Sequence, residues 1–165
     1  MFYVGMAVAK ATLACCLLSP DTDQVQRSFS NNRTGFNALL TWLRERAIAF
    51  DQVQIVMAAT GVYHPAAALH LHEAGVQVAI VNPAQVKDFG KGWAVRTKTD
   101  RMDSWVLARF GQVNTPTPWQ PLSVEVRELQ ALLARQRALA EDLQRERNRL
   151  EKADATLTPT LVHQS

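Results

Sequence analysis

The sequence predicts an α/β fold: a mixed five-stranded sheet with flanking helices, followed by a long coiled-coil-like helix. Three observations predict it. Short apolar runs joined by tight turns fill the chain up to Asn31. Strand and helix patterns then alternate from Val53 to Gly92. Finally, apolar residues from Leu122 onward recur at alternating steps of four and three, with no Gly or Pro between 123 and 153.

Residues 2–9 and 11–18 are apolar runs split by Lys10, and Ser19-Pro20-Asp21 closes the second. Gln24 to Phe29 makes a third, more polar segment, so the start reads as an antiparallel three-stranded meander. Asn31 to Gly35 is a turn in which Thr34 is the expected N-cap. Phe36, Leu39, Leu40 and Leu43 follow helical spacing and predict an amphipathic helix to about Ala49. Val53 to Ala59 reads as a buried strand, residues 65–74 as a helix ended by Gly75, and Val76 to Val81 as a further strand. Strand–helix–strand with short links implies parallel pairing through a right-handed crossover. Asn82-Pro83 opens another short helix, and Gly90 and Gly92 are expected to loosen the segment before the charged stretch at Arg96.

From about Pro121 the pattern becomes a heptad-like seam: Leu122, Val126, Leu129, Leu133, Gln136, Ala140, Leu143, Arg147 and Leu150. A helix from Ser123 to Ala153 would extend roughly 45 Å, too long to pack wholly on a small sheet. The expected organisation is a domain over 1–118, a helical dimerisation arm over 119–155 and a tail over 156–165. Seven cations and six anions mix closely between Glu125 and Lys152. That mixture suits an exposed, ion-paired helix better than a dedicated nucleic-acid arm.

The chain has 165 residues, 47% of them hydrophobic and 20% charged, an ordinary balance for a globular protein. A formal charge of +3 permits a nucleic-acid partner without demanding one. No apolar run reaches the roughly 18 residues of a membrane span, and no secretory pattern opens the sequence. Its two cysteines, Cys15 and Cys16, are neighbours in an apolar run. They read as buried structural thiols of a reducing cytoplasm. P-loop, dinucleotide, Ser-His-Asp and zinc patterns are absent from the sequence, and His70 and His72, two apart, do not share a helix face.

The most informative stretch is Arg96 to Ser104. Asp100 and Asp103 sit three apart at a predicted helix start capped by Thr99, so both carboxylates share one face. Paired carboxylates suit a hard divalent cation such as Mg²⁺, and cations beside them suit a phosphate-bearing substrate. Between residues 87 and 109, six cations (Lys87, Lys91, Arg96, Lys98, Arg101 and Arg109) outnumber three carboxylates (Asp88, Asp100 and Asp103). This segment is the candidate phosphate-facing surface, although a solvated charged face fits the same residues. The bland alternative for Asp100 and Asp103 is that they merely complement a helix N-terminus.

Several strings, in order, resemble one family. They are Val4-Gly5 with Lys10 to Leu13, Gly35-Phe36 with Trp42-Leu43, Ala59 to His64, Val81 to Lys87, Lys98 to Asp103, and Glu146 to Leu150. Together they resemble the N-terminal part of the DEDD-type transposases of insertion sequence family one-hundred-and-ten, which includes the Piv-type invertases. The resemblance implies a RuvC-like domain of the ribonuclease-H-like fold, with four acidic residues holding divalent metal for DNA strand cleavage. Asp100 and Asp103 match the last two. The first two positions fall on Ala7, in Gly5-Met6-Ala7-Val8, and Ala58, in Met57-Ala58-Ala59-Thr60-Gly61. Full members continue into a second domain carrying a serine implicated in strand exchange, so the resemblance covers the RuvC-like half with its arm.

The expected function is that of a DNA transposase or site-specific recombinase fragment, inactive in cleavage because Ala7 and Ala58 replace two of four ligands. Mg²⁺ is the family's cofactor, expected to bind weakly or not at all here. Catalytic and metal-ligand candidates are Asp100 and Asp103; nucleic-acid candidates are Lys87, Lys91, Arg96, Lys98 and Arg101. Expected partners are DNA (insertion-sequence ends and target), a guide-like RNA, and a second copy bound through the long helix. The alternative is a non-catalytic module that binds nucleic acid or dimerises with a full-length transposase.

Overall fold

The computed structural model describes residues 1–21, 23–93 and 99–162, with side chains through residue 156. Two compact units divide it, Met1–Gln120 and Pro121–Ser165.

In the first unit, strands β1 (Phe2–Val8), β2 (Thr12–Leu18) and β3 (Gln24–Ser30) form the expected antiparallel meander. Helix α1 (Arg33–Glu45) and a 3-10 turn (Phe50–Gln52) lead to β4 (Val53–Ala58). Helix α2 (Pro65–Glu73) then leads to β5 (Gln77–Val81). The five-stranded order is β3-β2-β1-β4-β5, with β4 parallel to both β1 and β5. Only β2 runs against the rest, which is the ribonuclease-H-like arrangement. Helices α3 (Pro83–Gly92) and α4 (Asp100–Asn114) complete the unit.

Strand alternation divides the core between the two sheet faces. Val4, Leu13, Cys15, Ile55, Met57 and Val78 pack with Phe36, Leu39, Leu43, Ala67 and Leu71 of α1 and α2. On the other face, Tyr3, Val56, Ala79 and Val81 meet Leu107 and Phe110 of α4, while Cys16 and Leu18 meet Ala108. Both cysteines are therefore buried and free, on opposite faces.

Glycines let α4 lie directly on the sheet. A Cβ on Gly5 would stand 1.8 Å from the Ser104 carbonyl oxygen and 2.4 Å from the Ala108 nitrogen. One on Gly111 would stand 2.6 Å from Val56 Cγ2 and 2.9 Å from Tyr3 Cδ1. Since Ser104 meets Gly5 and Gly111 meets Tyr3, α4 runs antiparallel to β1. Its N-terminus consequently reaches the C-terminal ends of β1 and β4.

Several local expectations change. Asn32, not Thr34, caps α1: its Oδ1 accepts from the Gly35 nitrogen at 2.9 Å, starting the helix earlier. The helix ends at Glu45 rather than near Ala49, because Ala47 adopts a left-handed φ of 57°. The Ala47 nitrogen donates to the Arg44 carbonyl and the Ile48 nitrogen to the Leu43 carbonyl, closing a Schellman motif. Gly75, at φ 94°, closes α2 by the same pair of bonds, to His72 and, through Val76, to Leu71. Gly90 and Gly92 do not loosen the chain; both lie within α3, where Gly90 is buried against Val106.

The segment after α4 returns along the sheet. Gln54, 3% exposed, donates to the Pro116 carbonyl, and the Trp119 nitrogen donates to the Val78 carbonyl at 2.6 Å. In the second unit, α5 (Val124–Val162) starts at Ser123, whose Oγ accepts from the Val126 nitrogen. It continues beyond Ala153 and through most of the expected tail, with Thr156 Oγ1 bonded to the Lys152 carbonyl. The described seam side chains are exposed, among them Leu129, Leu133, Leu143 and Leu150.

Candidate functional site

A cleft of about 670 Å³ opens at the C-terminal ends of β1 and β4, where α3 and α4 meet the sheet. Its floor is apolar, from Met6, Val8, Val86, Val106 and Leu107. Ala7, Ala58, Asp100 and Asp103 all line it. Four positions spread over almost a hundred residues therefore share one space.

The fold brings them there step by step. The β1–β4 register pairs Val4 with Ile55 and Gly5 with Val56, so its continuation sets Ala7 beside Ala58. Alternation turns Ala7, like Tyr3 and Gly5, toward α4. On α4, Thr99 Oγ1 accepts from the Met102 nitrogen at 3.2 Å, as expected for the cap. Asp100 and Asp103 then occupy the first turn, where backbone N–H groups favour negative charge. Ser104, fully buried, fixes that turn against the sheet by donating toward Gln26 Oε1 and the Arg101 carbonyl.

The cations separate. Lys87 and Lys91, one turn apart on α3, line the cleft, and Lys91 also pairs with Asp88 at 3.6 Å on the exposed side. Arg101 is not among the lining residues. Its charge instead acts on Cys16 of β2, holding down a thiol that burial pushes up to about 11. Cys15, on the other sheet face, is driven well above the ordinary thiol range by burial and, secondarily, by Cys16. Arg109 stacks on Trp93, 4.7 Å from the ring centroid, and donates to Gln112 Oε1. Arg96 and Lys98 lie outside the described residues.

The histidines do not converge. His70 Nε2 meets Asn37 Oδ1 at 3.0 Å, while the His72 ring packs edge-on against Trp119. His64 stands at the N-cap position of α2 without a side-chain cap bond, its Nδ1 buried and without a hydrogen-bond partner among the described residues.

Sequence reasoning missed Thr60 in the cleft wall, and Asn31, which lies outside the cleft lining but joins two of the chain segments near it. Asn31 Nδ2 donates to the Ala9 and Tyr63 carbonyls at 2.8 and 3.2 Å, tying the β1 exit to the loop after β4. These contacts cross 22 and 32 residues, and no local pattern announces them.

The donor set does not fit a pair of divalent ions. Such a pair needs carboxylates from neighbouring elements, whereas the two acids among the described lining residues both belong to α4, and β1 and β4 bring only Ala7 and Ala58 beside them. Among the described residues, no group of three or more His, Cys, Asp or Glu side chains could hold a metal.

The architecture is thus a ribonuclease-H-like domain with an acidic helix start over its sheet. The family model described as "Transposase", for the DEDD type of insertion sequence family one-hundred-and-ten, matches residues 4–158. The chain belongs to this family. It is 34% identical over 149 residues to the "Pilin gene-inverting protein" of Moraxella bovis, covering 90% of this chain and 46% of that one. The protein of the same name from Moraxella lacunata matches with the same identity and coverage. The chain thus spans about half the length of the curated relatives it matches. A T. thermophilus RuvC in complex with a Holliday junction substrate covers 72% of this chain and 100% of that chain, at 14% identity and a TM-score of 0.49. A second Thermus thermophilus RuvC structure, at 13% identity, gives 0.47 with the same coverage. No described helix is long and apolar enough to cross a membrane.

Proposed function

We propose that this chain is the RuvC-like half of a DNA transposase or site-specific recombinase, one that holds nucleic acid at the cleft without cutting it. The carrying observation is that Ala7, Ala58, Asp100 and Asp103 line one cleft at the ends of parallel strands. In this reading Asp100 and Asp103 are the retained metal-ligand pair, and Ala7 and Ala58 occupy the places of the lost carboxylates. Two alanines remove the bridging groups that a two-ion cleavage centre requires. Lys87 and Lys91 remain as phosphate partners on the wall, with Arg101 on the outer side of the same helix start. DNA is the primary ligand; a guide-like RNA presents the same phosphates. The long helix serves as the contact to a second copy, and two buried reduced thiols fit a bacterial cytoplasm.

Restoring the acids tests this reading. Isothermal calorimetry of an Ala7→Asp/Ala58→Glu variant is expected to show Mg²⁺ or Mn²⁺ binding much tighter than in the parent chain. Adding Asp100→Asn should remove the gain. No gain in a folded double variant sinks the assignment of the site. The non-catalytic alternative, partnership with a full-length transposase, is favoured by the exposed apolar seam of α5; co-sedimentation with such a protein tests it.

A further inference from the structure

The seam of α5 has a grammar that restricts what can cover it. Val126, Leu133, Ala140 and Arg147 occupy heptad position a; Leu129, Gln136, Leu143 and Leu150 occupy d. Leu129, Leu133, Leu143 and Leu150 are 55%, 51%, 54% and 63% exposed, and Leu132 and Leu139 beside them 65% and 57%. A monomer rarely leaves so continuous an apolar stripe in water. Between Val126 and Leu150 two polar residues interrupt it, Gln136 at d and Arg147 at a, and Asp154 follows at a where the stripe ends. Their positions distinguish one partner geometry from the others.

We propose that the seam pairs with that of a second copy in an antiparallel two-helix coil centred between Glu141 and Asp142. This rests on the reading of α5 as a contact between copies and adds its direction and register.

In a parallel, in-register pair each a residue meets its own equivalent. Arg147 would face Arg147 of the second copy, and Glu146 at g would face Glu151 at e, stacking like charges at one end. In an antiparallel pair, a faces d. The proposed register sets Leu133 opposite Leu150, Ala140 opposite Leu143, and Gln136 opposite Arg147, each twice about the two-fold axis. The amide oxygen of Gln136 then accepts from the guanidinium, so both polar interruptions answer each other. At the edges Arg137 meets Gln144 and Gln130 meets Glu151, with no like charges apposed. Slipping by one heptad toward the N-terminus would set Arg147 against Leu129 and bring the two Arg137 side chains together on the axis. Slipping by one heptad toward the C-terminus would bring the two Glu146 side chains together on the axis, so charge complementarity selects one register, and a second copy is the occupant that supplies it.

The test is a spin label on a Glu128→Cys variant of the whole chain, read by double electron–electron resonance. The native thiols are buried, so the label goes to the new site. The proposed register separates the two labels by 27 residues of helix rise, about 40 Å. The slipped register gives about 30 Å, and a parallel pair about 20 Å or less. A distance near 40 Å supports the proposal; either shorter distance overturns it while leaving the dimer contact standing. A chain that sediments as a monomer at every concentration overturns both. Independently, Gln136→Glu should tighten self-association about two- to fivefold by meeting Arg147. In a parallel pair the same change stacks two carboxylates, so weakening also overturns the proposal.

Discussion

Two residues in one backbone conformation show how much a single side chain matters. Ala47 and Gly75 each close a Schellman motif in left-handed conformation, at φ 57° and 94°. Only glycine adopts that region without a steric cost, which for other residues is about 1–2 kcal/mol. Ala47→Gly is therefore expected to stabilise the chain by about 0.5–1 kcal/mol after glycine's extra unfolded-state entropy is subtracted. Gly75→Ala should cost a comparable amount, and urea midpoints of the two variants check both signs. The sequence announces Gly75 as a helix stop, but Ala47 carries no such mark. Periodicity predicts too long a helix there because alanine favours helix everywhere except where tertiary packing turns the chain, as the burial of Ile48 does here.

At the scale of elements, the seat of α4 on β1 decides where the acids stand. The helix start, its Thr99 cap and the shared face of Asp100 and Asp103 are legible from spacing alone. What that face meets is not. Gly5 lets α4 approach until its backbone touches the strand, and the antiparallel course of α4 then carries its first turn over Ala7. A Cβ at Gly5 meets backbone atoms, which cannot rotate away. Gly5→Ala is expected to cost about 3 kcal/mol, the upper end of ordinary overpacking. Denaturant unfolding measures it, and a change under about 1 kcal/mol would mean that α4 sits more loosely on the strand. Arg101 illustrates the converse limit. Charge counting groups it with Lys87 and Lys91, yet its position on α4 sets it toward Cys16, outside the cleft lining.

For the whole molecule, the charges that the described residues bring to the cleft balance: two lysines against two carboxylates. Four carboxylates would need bound cations before a phosphodiester could approach; two balanced by Lys87 and Lys91 do not. DNA binding is therefore expected to persist in EDTA and to weaken with salt. Each phosphate contact contributes about −0.9 to the slope of log K against log salt. Lys87→Ala/Lys91→Ala should therefore make the slope shallower by about 2. Gel-shift titrations across a salt series, with and without EDTA, read both effects. Binding that requires metal would reject this account.

By itself the sequence determined the order and kind of nearly every element, the family and the acid pair at the helix start. Periodicity, caps and short strings carry that information because they depend on residues three to seven apart. Only the tertiary structure decided that Ala7, Ala58, Asp100 and Asp103 share one cleft. It also decided which of the described cations face it, and that Asn31 ties the β1 exit to the loop after β4. Those facts depend on strand register and on how closely a helix can approach a glycine, contacts that join residues far apart in the chain and leave no local pattern behind.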